Sequence, residues 1–403
     1  MIPFSPPRID ERLINEVADA LRSGWITTGP RTKKFEQKLT AYAGHGATLC
    51  VSSCSAGLEL MLRWFGVGEG DEVIVPAYTY AATANVIVHT GARPVFVDCN
   101  KDDFNLSVEA VEKAITPNTK AIIPVDVGGW PCDYDELNQL VERPAIKKQF
   151  HPSNEIQQKL GRIFILSDAA HSLGARYKGN KTGKLTDCTV YSFHAVKNLT
   201  TAEGGAVCLN LPQPFSNEEV YRELNIKALH GQSKDALAKF KVGSWKYDVV
   251  EAGYKYNMTD VQAAMGLVEL ERYDNDMLVK RKHIFDSYSK AYSKFEWAEI
   301  PLYENDIKTS SYHAYMLRIK GINENARDRI MQEIFKAGVS VNVHFLPLPM
   351  MSFYKNMGYQ INGYPNTYAR YANEISLPVF YDLSDEQIQM VVEALRDAVE
   401  KVG

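Results

Sequence analysis

The sequence lacks the long apolar runs and the excess of positive charge that mark two large classes of protein. No stretch reaches the roughly 18 consecutive apolar residues of a membrane-spanning helix, and residues 1–7 do not resemble a secretory leader. Lys and Arg total 45 against 49 Asp and Glu, a net charge of -4 without blocks of like charge. We therefore expect a cytoplasmic protein that has neither a membrane nor a nucleic acid as its partner.

Cysteine is scarce and is not arranged for metal binding. The chain of 403 residues has six cysteines, and none of them forms a C-x-x-C pair. Cys50 and Cys54 are close in sequence, but no Cys or His pair at zinc-finger spacing follows them. We expect reduced thiols and no metal site, because a chain of this length buries a large core without disulfide bonds.

What the sequence does have is a regular alternation of short apolar segments with segments of helical periodicity. After amphipathic helices at 8–24 and 31–43, the pattern predicts strands at 48–52, 72–76, 94–97, 121–125 and 163–167, and helices at 56–65, 80–90, 108–115 and 133–140. The strands are continuous Val and Ile runs, which is typical of parallel strands buried on both faces. The alternation therefore predicts an α/β fold with a mostly parallel sheet between helices.

The pattern changes in the second half of the chain. It predicts strands at 189–193 and 206–209, a helix at 217–229, an irregular polar loop at 231–252 and a long helix at 259–282. Beyond these, α+β patterning predicts helices at 283–293, 324–337, 366–374 and 384–400, with strands at 312–319 and 340–343. We expect a large domain at 1–280 and a smaller C-terminal domain at 281–403. The polar segment 141–161 is interpreted as an inserted surface excursion.

Unusual residues follow several of the predicted strands, where ligands bind in open parallel sheets. The segment 51–57 combines small residues with a helix N-terminus, which suits a phosphate group, although helix capping by serine also explains it. The aromatic residues of 76–83 could cover a flat ring or simply belong to the core. The turn-rich segment 24–30 is, on its composition alone, a helix connector.

An acid and a lysine occupy two further positions of this kind. Asp168 ends the strand at 163–167, and Lys197 stands in a loop between the strands at 189–193 and 206–209. Taken separately, Asp168 is explained as a helix N-cap and Lys197 as a solvated side chain. With a phosphate site at 52–55, however, they are the parts that pyridoxal 5′-phosphate (PLP) requires: a Schiff-base lysine, an acid at the pyridine nitrogen and a phosphate site.

Seven ordered segments resemble the DegT/StrS type of sugar-nucleotide aminotransferase. They are residues 24–30, 51–57, 76–83, 168–174, 192–205, 229–231 and 253–264, and the resemblance extends from Phe4 to about Leu395. It implies a fold-type I PLP-dependent transferase, similar to aspartate aminotransferase, with a mostly parallel seven-stranded sheet and a smaller α+β domain. Some relatives carry His in place of the lysine and act as PLP-dependent dehydratases; Lys197 argues against that reaction.

The resemblance also implies roles for individual residues. Lys197 matches the Schiff-base lysine that moves the proton, and Asp168 matches the acid that keeps the pyridine nitrogen protonated. The other implied cofactor contacts are Tyr80 on the ring, Cys54, Ser55 and Ser192 at the phosphate, and His171 near the ring's O3′. Lys255 and Asn257 match residues that reach the active site of the partner subunit, which implies a homodimer with shared sites. The implied substrate contacts are Thr28, His194 and His344.

The segments 192–205 and 253–260, with His344, look like the branch that makes UDP-4-amino-4-deoxy-L-arabinose. We therefore expect transfer of an amino group from L-glutamate to a keto carbon, C4, of a nucleotide-linked sugar. Amination of a ketocyclitol or a C3-ketosugar, and a non-catalytic regulator that binds PLP or a sugar, remain alternatives.

Four features depart from the family pattern. Cys54-Ser55 replaces Gly-Thr or Ala-Thr and keeps a hydroxyl group. Asp126 stands where many members have His, Pro349 replaces a common His, and the segment 141–161 is longer than usual. We expect these last three to line the substrate mouth, which leaves the identity of the sugar open.

Overall fold

A seven-stranded sheet is the centre of the fold in the computed structural model, which describes residues 1–234 and 246–402. The first nine strands in chain order are β1 (Ala47–Val51), β2 (Glu72–Pro76), β3 (Arg93–Val97), β4 (Thr119–Ile122), β5 (Phe164–Asp168), β6 (Arg176–Tyr177), β7 (Asn180–Lys181), β8 (Cys188–Ser192) and β9 (Gly205–Leu209). The central sheet has the order β1-β9-β8-β5-β4-β2-β3, and only β9 runs antiparallel to its neighbours. The predicted α/β class is confirmed.

Helices cover this sheet. They are α1 (Glu11–Arg22), α2 (Pro30–Ala43), α3 (Cys54–Trp64), α4 (Ala81–His89), α5 (Val108–Ala114), α6 (Tyr134–Glu142), α7 (Pro144–Gln149), α8 (Glu155–Leu160), α9 (Asn217–Lys227) and α10 (Asp260–Glu271). Every residue of β1, β2, β4, β5 and β9 is buried, as the continuous apolar runs predicted. The predicted elements of this half are confirmed, with their ends shifted by a few residues. Part of the expected loop at 231–252 lies outside the described residues.

The segment 141–161 lies largely at the surface, as its polar composition predicted, but a few buried residues anchor it to the domain. It folds into α7 and α8, and the side chains of Ile146 and Phe150 are buried in the main core. The amide of Gln157 is fully buried and donates a hydrogen bond to the backbone oxygen of Phe65 at 3.0 Å. A few well-spaced apolar residues were enough to hold the segment against the domain, and they outweighed the polar residues around them.

The long helix predicted at 259–282 is interrupted. After α10 comes a π-helical turn, Tyr273–Met277, and then α11 (Leu278–Tyr292), so the expected boundary at 282–283 is wrong. Both acidic residues of this π turn have partners that are distant in sequence. Asp274 accepts a hydrogen bond from Lys181 at 2.7 Å, and Asp276 accepts one from Arg8 at 2.6 Å.

The C-terminal part has its own sheet and apolar core. Strands β10 (Ala298–Glu299), β12 (Tyr315–Ile319) and β13 (Glu374–Leu377) form an antiparallel sheet, and β11 (Lys308–Thr309) pairs with β6. The helices that follow are α12 (Glu324–Lys336), α13 (Ser352–Asn356), α14 (Pro365–Tyr371) and α15 (Asp385–Val402). A core separate from the main one packs α11, α12 and α15 against this sheet. The exact division at residues 280 and 281 stays a prediction.

One strand of this sheet was assigned to the wrong segment. The expected strand at 340–343 forms only an isolated bridge between Asn342 and Ser376. The real partner of β12 is β13, of which Glu374 and Ser376 are buried polar residues. Two polar residues among four removed the apolar signal that a buried strand normally gives.

No helix among residues 1–234 and 246–402 is long and apolar enough to cross a membrane.

Candidate active site

A cavity of about 330 Å³ opens at the carboxyl ends of the central strands. The segments that follow β1, β2, β5 and β8 line it, together with residues 4–5 and parts of the C-terminal region at 313–314, 344–345 and 377–379. Parallel strands end at the same edge of a sheet, and their loops therefore converge there. Of the predicted site residues, the cavity contains Cys54, Ser55, Tyr80, Asp168, His171, Ser192, His194, Lys197 and His344.

Asp168 lies at the end of β5 with only 5% of its surface exposed. Its carboxylate accepts hydrogen bonds from Thr83 Oγ1 at 2.7 Å and from the backbone N–H of Ala170 at 3.1 Å. Burial raises the pKa of Asp168, and these hydrogen bonds and nearby Lys197 only oppose that effect. A cation bound against this carboxylate would favour its ionised form, as a protonated pyridine nitrogen would.

Lys197 lies in the loop between β8 and β9, with its side chain half-buried in the cavity. Burial disfavours the charged ammonium group and lowers the pKa of Lys197 to about 8, although Asp168 and Cys54 act in the opposite direction. A substantial fraction of the amine is therefore neutral at mildly alkaline pH. Only the neutral amine is a nucleophile and a base, so the site favours the form that can form a Schiff base.

The N-terminus of α3 forms the part of the cavity predicted to hold phosphate. Ser53 caps the helix by accepting a hydrogen bond from the backbone N–H of Ala56 at 3.0 Å. Gly205 at the start of β9 lies so close to the start of α3 that an added Cβ would stand 2.6 Å from the backbone nitrogen of Cys54. Unpaired N–H groups at the helix start, with the hydroxyls of Ser55 and Ser192 beside them in the cavity, fit a phosphate ester.

The thiol of Cys54 is directed toward Asp168 and Val190, which does not support the predicted contact between this side chain and phosphate. Its Sγ lies 3.7 Å from a carboxylate oxygen of Asp168 and 3.7 Å from the backbone oxygen of Val190. The backbone N–H of Cys54 is then the group that could contact phosphate, because the first N–H groups of a helix have no partner within it.

Three histidines gather on another wall of the cavity. His171 Nδ1 accepts a hydrogen bond from the backbone N–H of Gly128 at 3.2 Å, and the rings of His171 and His313 are 4.1 Å apart at their centroids. Burial lowers the pKa of all three, that of His344 to about 4. They are therefore neutral at physiological pH and can donate or accept hydrogen bonds without adding charge beside Lys197.

His313, which lines the cavity, and Asn198, which contacts it, were not predicted from the sequence. Asn198, next to Lys197 in sequence, accepts a hydrogen bond from His313 Nδ1 at 2.8 Å and donates one to the backbone oxygen of Ser311, also at 2.8 Å. These bonds tie the lysine loop to the C-terminal region. The only sequence signal was a single histidine at the start of the apolar segment 312–319.

Aromatic and polar side chains surround the mouth of the cavity. Tyr80, 64% exposed, stands 6.0 Å from the ring of Phe345 between centroids, where its face is free for a flat ligand. His194 Nε2 lies 3.6 Å from Glu203 Oε1, and the ring of Phe4 stacks on His344 at 5.5 Å.

Three predicted site residues do not line this cavity. Asn257 Nδ2 donates a hydrogen bond to Thr28 Oγ1 at 2.7 Å, and that hydroxyl donates one to the backbone oxygen of Met258. Lys255 has an exposed side chain. The three residues are thus outside the cavity of their own chain. The reach of Lys255 and Asn257 into a partner's site and the substrate contact of Thr28 stay predictions.

Two departures from the family pattern do not line the cavity either. Asp126 is fully buried and accepts hydrogen bonds from Tyr134 at 2.7 Å, Ser172 at 2.6 Å and the backbone N–H of Cys132 at 2.8 Å. Pro349 is buried in a short 3₁₀ helix. Helices α7 and α8 also lie outside the cavity. The expectation that these departures shape the substrate mouth is therefore wrong. Asp126 instead holds buried loops together through its hydrogen bonds.

The model of the DegT/DnrJ/EryC1/StrS aminotransferase family matches residues 7–396. The chain belongs to that family. The resemblance inferred from seven short segments is therefore confirmed over nearly the whole chain.

Relatives match at full length. The chain is 40% identical to an uncharacterized protein of Methanocaldococcus jannaschii over 99% of its own length and 97% of the relative's. It is 35% identical to the spore coat polysaccharide biosynthesis protein SpsC of Bacillus subtilis, with 99% and 97% covered. Among solved structures, a provisionally named sugar aminotransferase from Streptococcus pneumoniae in its PMP form has a TM-score of 0.96 and 47% identity, with both chains covered completely.

The predicted cofactor and fold type are confirmed by the same comparisons. Aminotransferases of this family use PLP, and the Streptococcus pneumoniae protein is also solved in a PLP form, with a TM-score of 0.94. The acid, the lysine and the helix N-terminus that line the cavity are the kinds of group that this cofactor requires.

Proposed function

We propose that the protein transfers an amino group from L-glutamate to the C4 keto carbon of a nucleotide-linked sugar. The observation that carries the proposal is the meeting of Lys197, Asp168 and the N-terminus of α3 in one cavity lined by neutral histidines.

PLP would be held by the segment 52–55 and Ser192 at its phosphate, by Tyr80 on its ring and by Asp168 at its pyridine nitrogen. The cofactor supplies an electron-withdrawing ring that stabilises negative charge on the carbon losing its proton. Asp168 maintains that capacity, because its buried carboxylate favours a protonated ring nitrogen.

Lys197 is the proton carrier of both half-reactions. In the first it takes the proton from the α-carbon of glutamate, which leaves as 2-oxoglutarate after giving up its nitrogen. In the second it returns a proton to the sugar carbon that receives the nitrogen. The lowered pKa of Lys197 suits this work, because a base near neutrality both accepts and releases the proton readily.

Relatives support a sugar as the amino acceptor. The Streptococcus pneumoniae neighbour is named for sugar amination, and SpsC is named for polysaccharide biosynthesis. PseC of Helicobacter pylori, 26% identical with a TM-score of 0.85, is an aminotransferase of pseudoaminic acid biosynthesis. The hydrogen-bonding histidines of the cavity suit a ligand rich in hydroxyl groups. The resemblance to the branch that makes UDP-4-amino-4-deoxy-L-arabinose favours C4.

The same proposal includes a homodimer in which Lys255 and Asn257 complete the partner's site, and Thr28, held by Asn257, contacts the substrate there. Their positions outside the cavity of their own chain support this arrangement. A cytoplasmic location agrees with the six free thiols.

The first experiment is the visible absorption spectrum of the purified, PLP-loaded protein before and after addition of L-glutamate. We expect a band that L-glutamate converts to the pyridoxamine form, while the Lys197→Ala variant shows no turnover. A loaded, folded protein whose band L-glutamate leaves unchanged would contradict the donor or the reaction class. The absence of a half-reaction with any amino donor would favour a non-catalytic regulator.

The acceptor is then tested with the protein in its amino form. We expect the C4-ketosugar nucleotide to restore the original band faster than a C3-ketosugar nucleotide or a ketocyclitol. Preference for either of the other two would replace the C4 assignment with that alternative.

A further inference from the structure

A buried chain of hydrogen bonds leads from Glu374 to the cavity. The carboxylate of Glu374 lies 2.5 Å from the hydroxyl of Ser376, and that hydroxyl lies 2.9 Å from His344 Nδ1. Glu374 and Ser376 are both fully buried on β13, whereas the ring of His344 lines the cavity. With Nδ1 engaged by Ser376, Nε2 is the ring nitrogen that His344 can offer to a ligand.

The second carboxylate oxygen of Glu374 can act only as a hydrogen-bond acceptor. It accepts the backbone N–H of His344 at 3.1 Å and must therefore remain an acceptor. Any proton on this carboxyl group is thus carried by the oxygen that faces Ser376. The hydrogen bonds from Glu374 through Ser376 to His344 can then be donated in only two directions. A neutral imidazole carries one proton, and the serine hydroxyl donates only once.

The two directions give His344 Nε2 opposite hydrogen-bonding roles toward the cavity. With Glu374 ionised, Ser376 donates to the carboxylate, His344 donates from Nδ1, and Nε2 is left as an acceptor. With Glu374 protonated, the carboxyl donates to Ser376, Ser376 donates to Nδ1, and Nε2 carries a proton that it can donate. We propose that Glu374, acting through Ser376, sets whether the cavity-facing nitrogen of His344 donates or accepts a hydrogen bond.

The pKa of the Glu374 carboxyl group lies close to physiological pH. Burial raises its pKa to about 8, and the hydrogen bonds from Ser376 and the His344 backbone, with nearby Arg327, only oppose this. Apart from Lys197, the titratable groups around these hydrogen bonds keep their charge states near that pH. Arg327 of α12 stays cationic, Tyr78 after β2 stays neutral, and so does His171, 6.4 Å from the His344 ring between centroids. Lys197 faces His344 from the lysine loop and titrates in the same range.

The donor direction suits an oxygen that carries no proton, such as a keto or diphosphate oxygen. This consequence for the substrate rests on the proposed function, whereas the tautomer of His344 does not. Glu374 and Ser376 are positioning residues: they act on the ligand through His344 and have no place among the residues that line the cavity.

Substitution of Glu374→Gln separates the two directions. The carbonyl of the new amide must take the place of the oxygen that accepts the His344 backbone N–H, so its NH2 group faces Ser376. The chain is then locked in the direction of the protonated acid at every pH. The Ser376→Ala variant instead breaks the chain. Glu324→Gln is the matched control, because Glu324 also lies near Arg327, at 4.0 Å, but is not part of the chain.

The experiment is a pH titration of the full-length protein labelled with ¹⁵N in its nine histidines. Long-range ¹H–¹⁵N spectra identify the tautomer, and His344→Gln assigns the signal. In the wild type and Glu324→Gln we expect the Nε2–H form below pH 8 or so and the Nδ1–H form above it. Glu374→Gln should keep the Nε2–H form throughout, and Ser376→Ala should lose the step. Circular dichroism verifies that each variant is folded.

Two results would overturn the proposal: a single His344 tautomer across the titration in the wild type, or the same step in Glu374→Gln as in the wild type. The Lys197→Ala variant must keep the step, because otherwise the lysine rather than Glu374 causes it. Since these spectra need no substrate, their outcome is independent of whether the proposed sugar reaction is correct.

Steady-state kinetics with the ketosugar give the second readout. Above the pKa of Glu374 we expect the KM of the wild type to rise about fivefold relative to Glu374→Gln, the effect of one hydrogen bond, while kcat changes less than about twofold. A comparable loss of kcat in Glu374→Gln, with the same KM in the variant and the wild type, would indicate a purely structural role for Glu374. That result would count against the proposal.

Discussion

At the residue scale, the chemistry of the site depends on the protonation of Lys197. Because its pKa lies near 8, the neutral fraction of the amine grows about tenfold per pH unit below that value and levels above it. We expect the rate at which the apo-protein combines with PLP to follow this curve in stopped-flow absorbance. Lys197→Ala should never develop the band and should lose turnover by about 10³-fold or more. A loading rate independent of pH would contradict the lowered pKa.

Asp168 and Lys197 were predicted from their combination, because each residue alone has an ordinary explanation. Only together with the small residues at 52–55 do an acid at a strand end and a lysine between apolar strands match the needs of one cofactor. His313 and Asn198 do not stand out, because a histidine or an amide has many ordinary places. Only the fold, which brings β12 beside the lysine loop, shows that they meet at 2.8 Å.

At the element scale, the junction between β9 and α3 shapes the phosphate site. A methyl group on Gly205 would stand 2.6 Å from the backbones of Ser53 and Cys54, so Gly205→Ala must push the two elements apart. We expect a loss of stability of about 1–3 kcal/mol and weaker binding of PLP. Thermal melting of the apo-protein and PLP titration measure the two effects.

The matched control is Gly68→Ala, because an added Cβ there would have no neighbour closer than 3.9 Å. Its melting temperature and its affinity for PLP should stay at wild-type values. Equal behaviour of the two variants would show that the close approach at Gly205 is unimportant.

Elements with a strong pattern were predictable, and elements held by polar contacts were not. The buried Val and Ile strands of the central sheet give a continuous signal that local sequence carries. Strand β13 gives none, because Glu374 and Ser376 are buried through hydrogen bonds to His344 rather than through apolarity. The π turn at Tyr273–Met277 likewise depends on partners distant in sequence, Arg8 and Lys181.

At the scale of the whole molecule, the amphipathic helix α1 supports assembly of two chains. The sequence predicted one apolar stripe on it, yet the protomer buries only Leu13 of that stripe well. Ile14 and Leu21 of α1 remain 46% and 55% exposed, and Ile9, which precedes the helix, is 54% exposed. Apolar side chains grouped on one helix face are typical of a surface that another chain covers, as the proposed homodimer requires.

The proposed sharing of active sites has a direct consequence for mixed dimers. Consider one protomer carrying Lys197→Ala and the other carrying both Lys255→Ala and Asn257→Ala, with two different affinity tags to isolate the mixed form. If Lys255 and Asn257 serve the partner's cavity, both lesions fall in one site and the other site is intact. The mixed dimer should then have about half of the wild-type activity, while each parent homodimer is nearly inactive. If these residues served the cavity of their own chain, each site would carry a lesion and the mixed dimer would be as inactive as its parents.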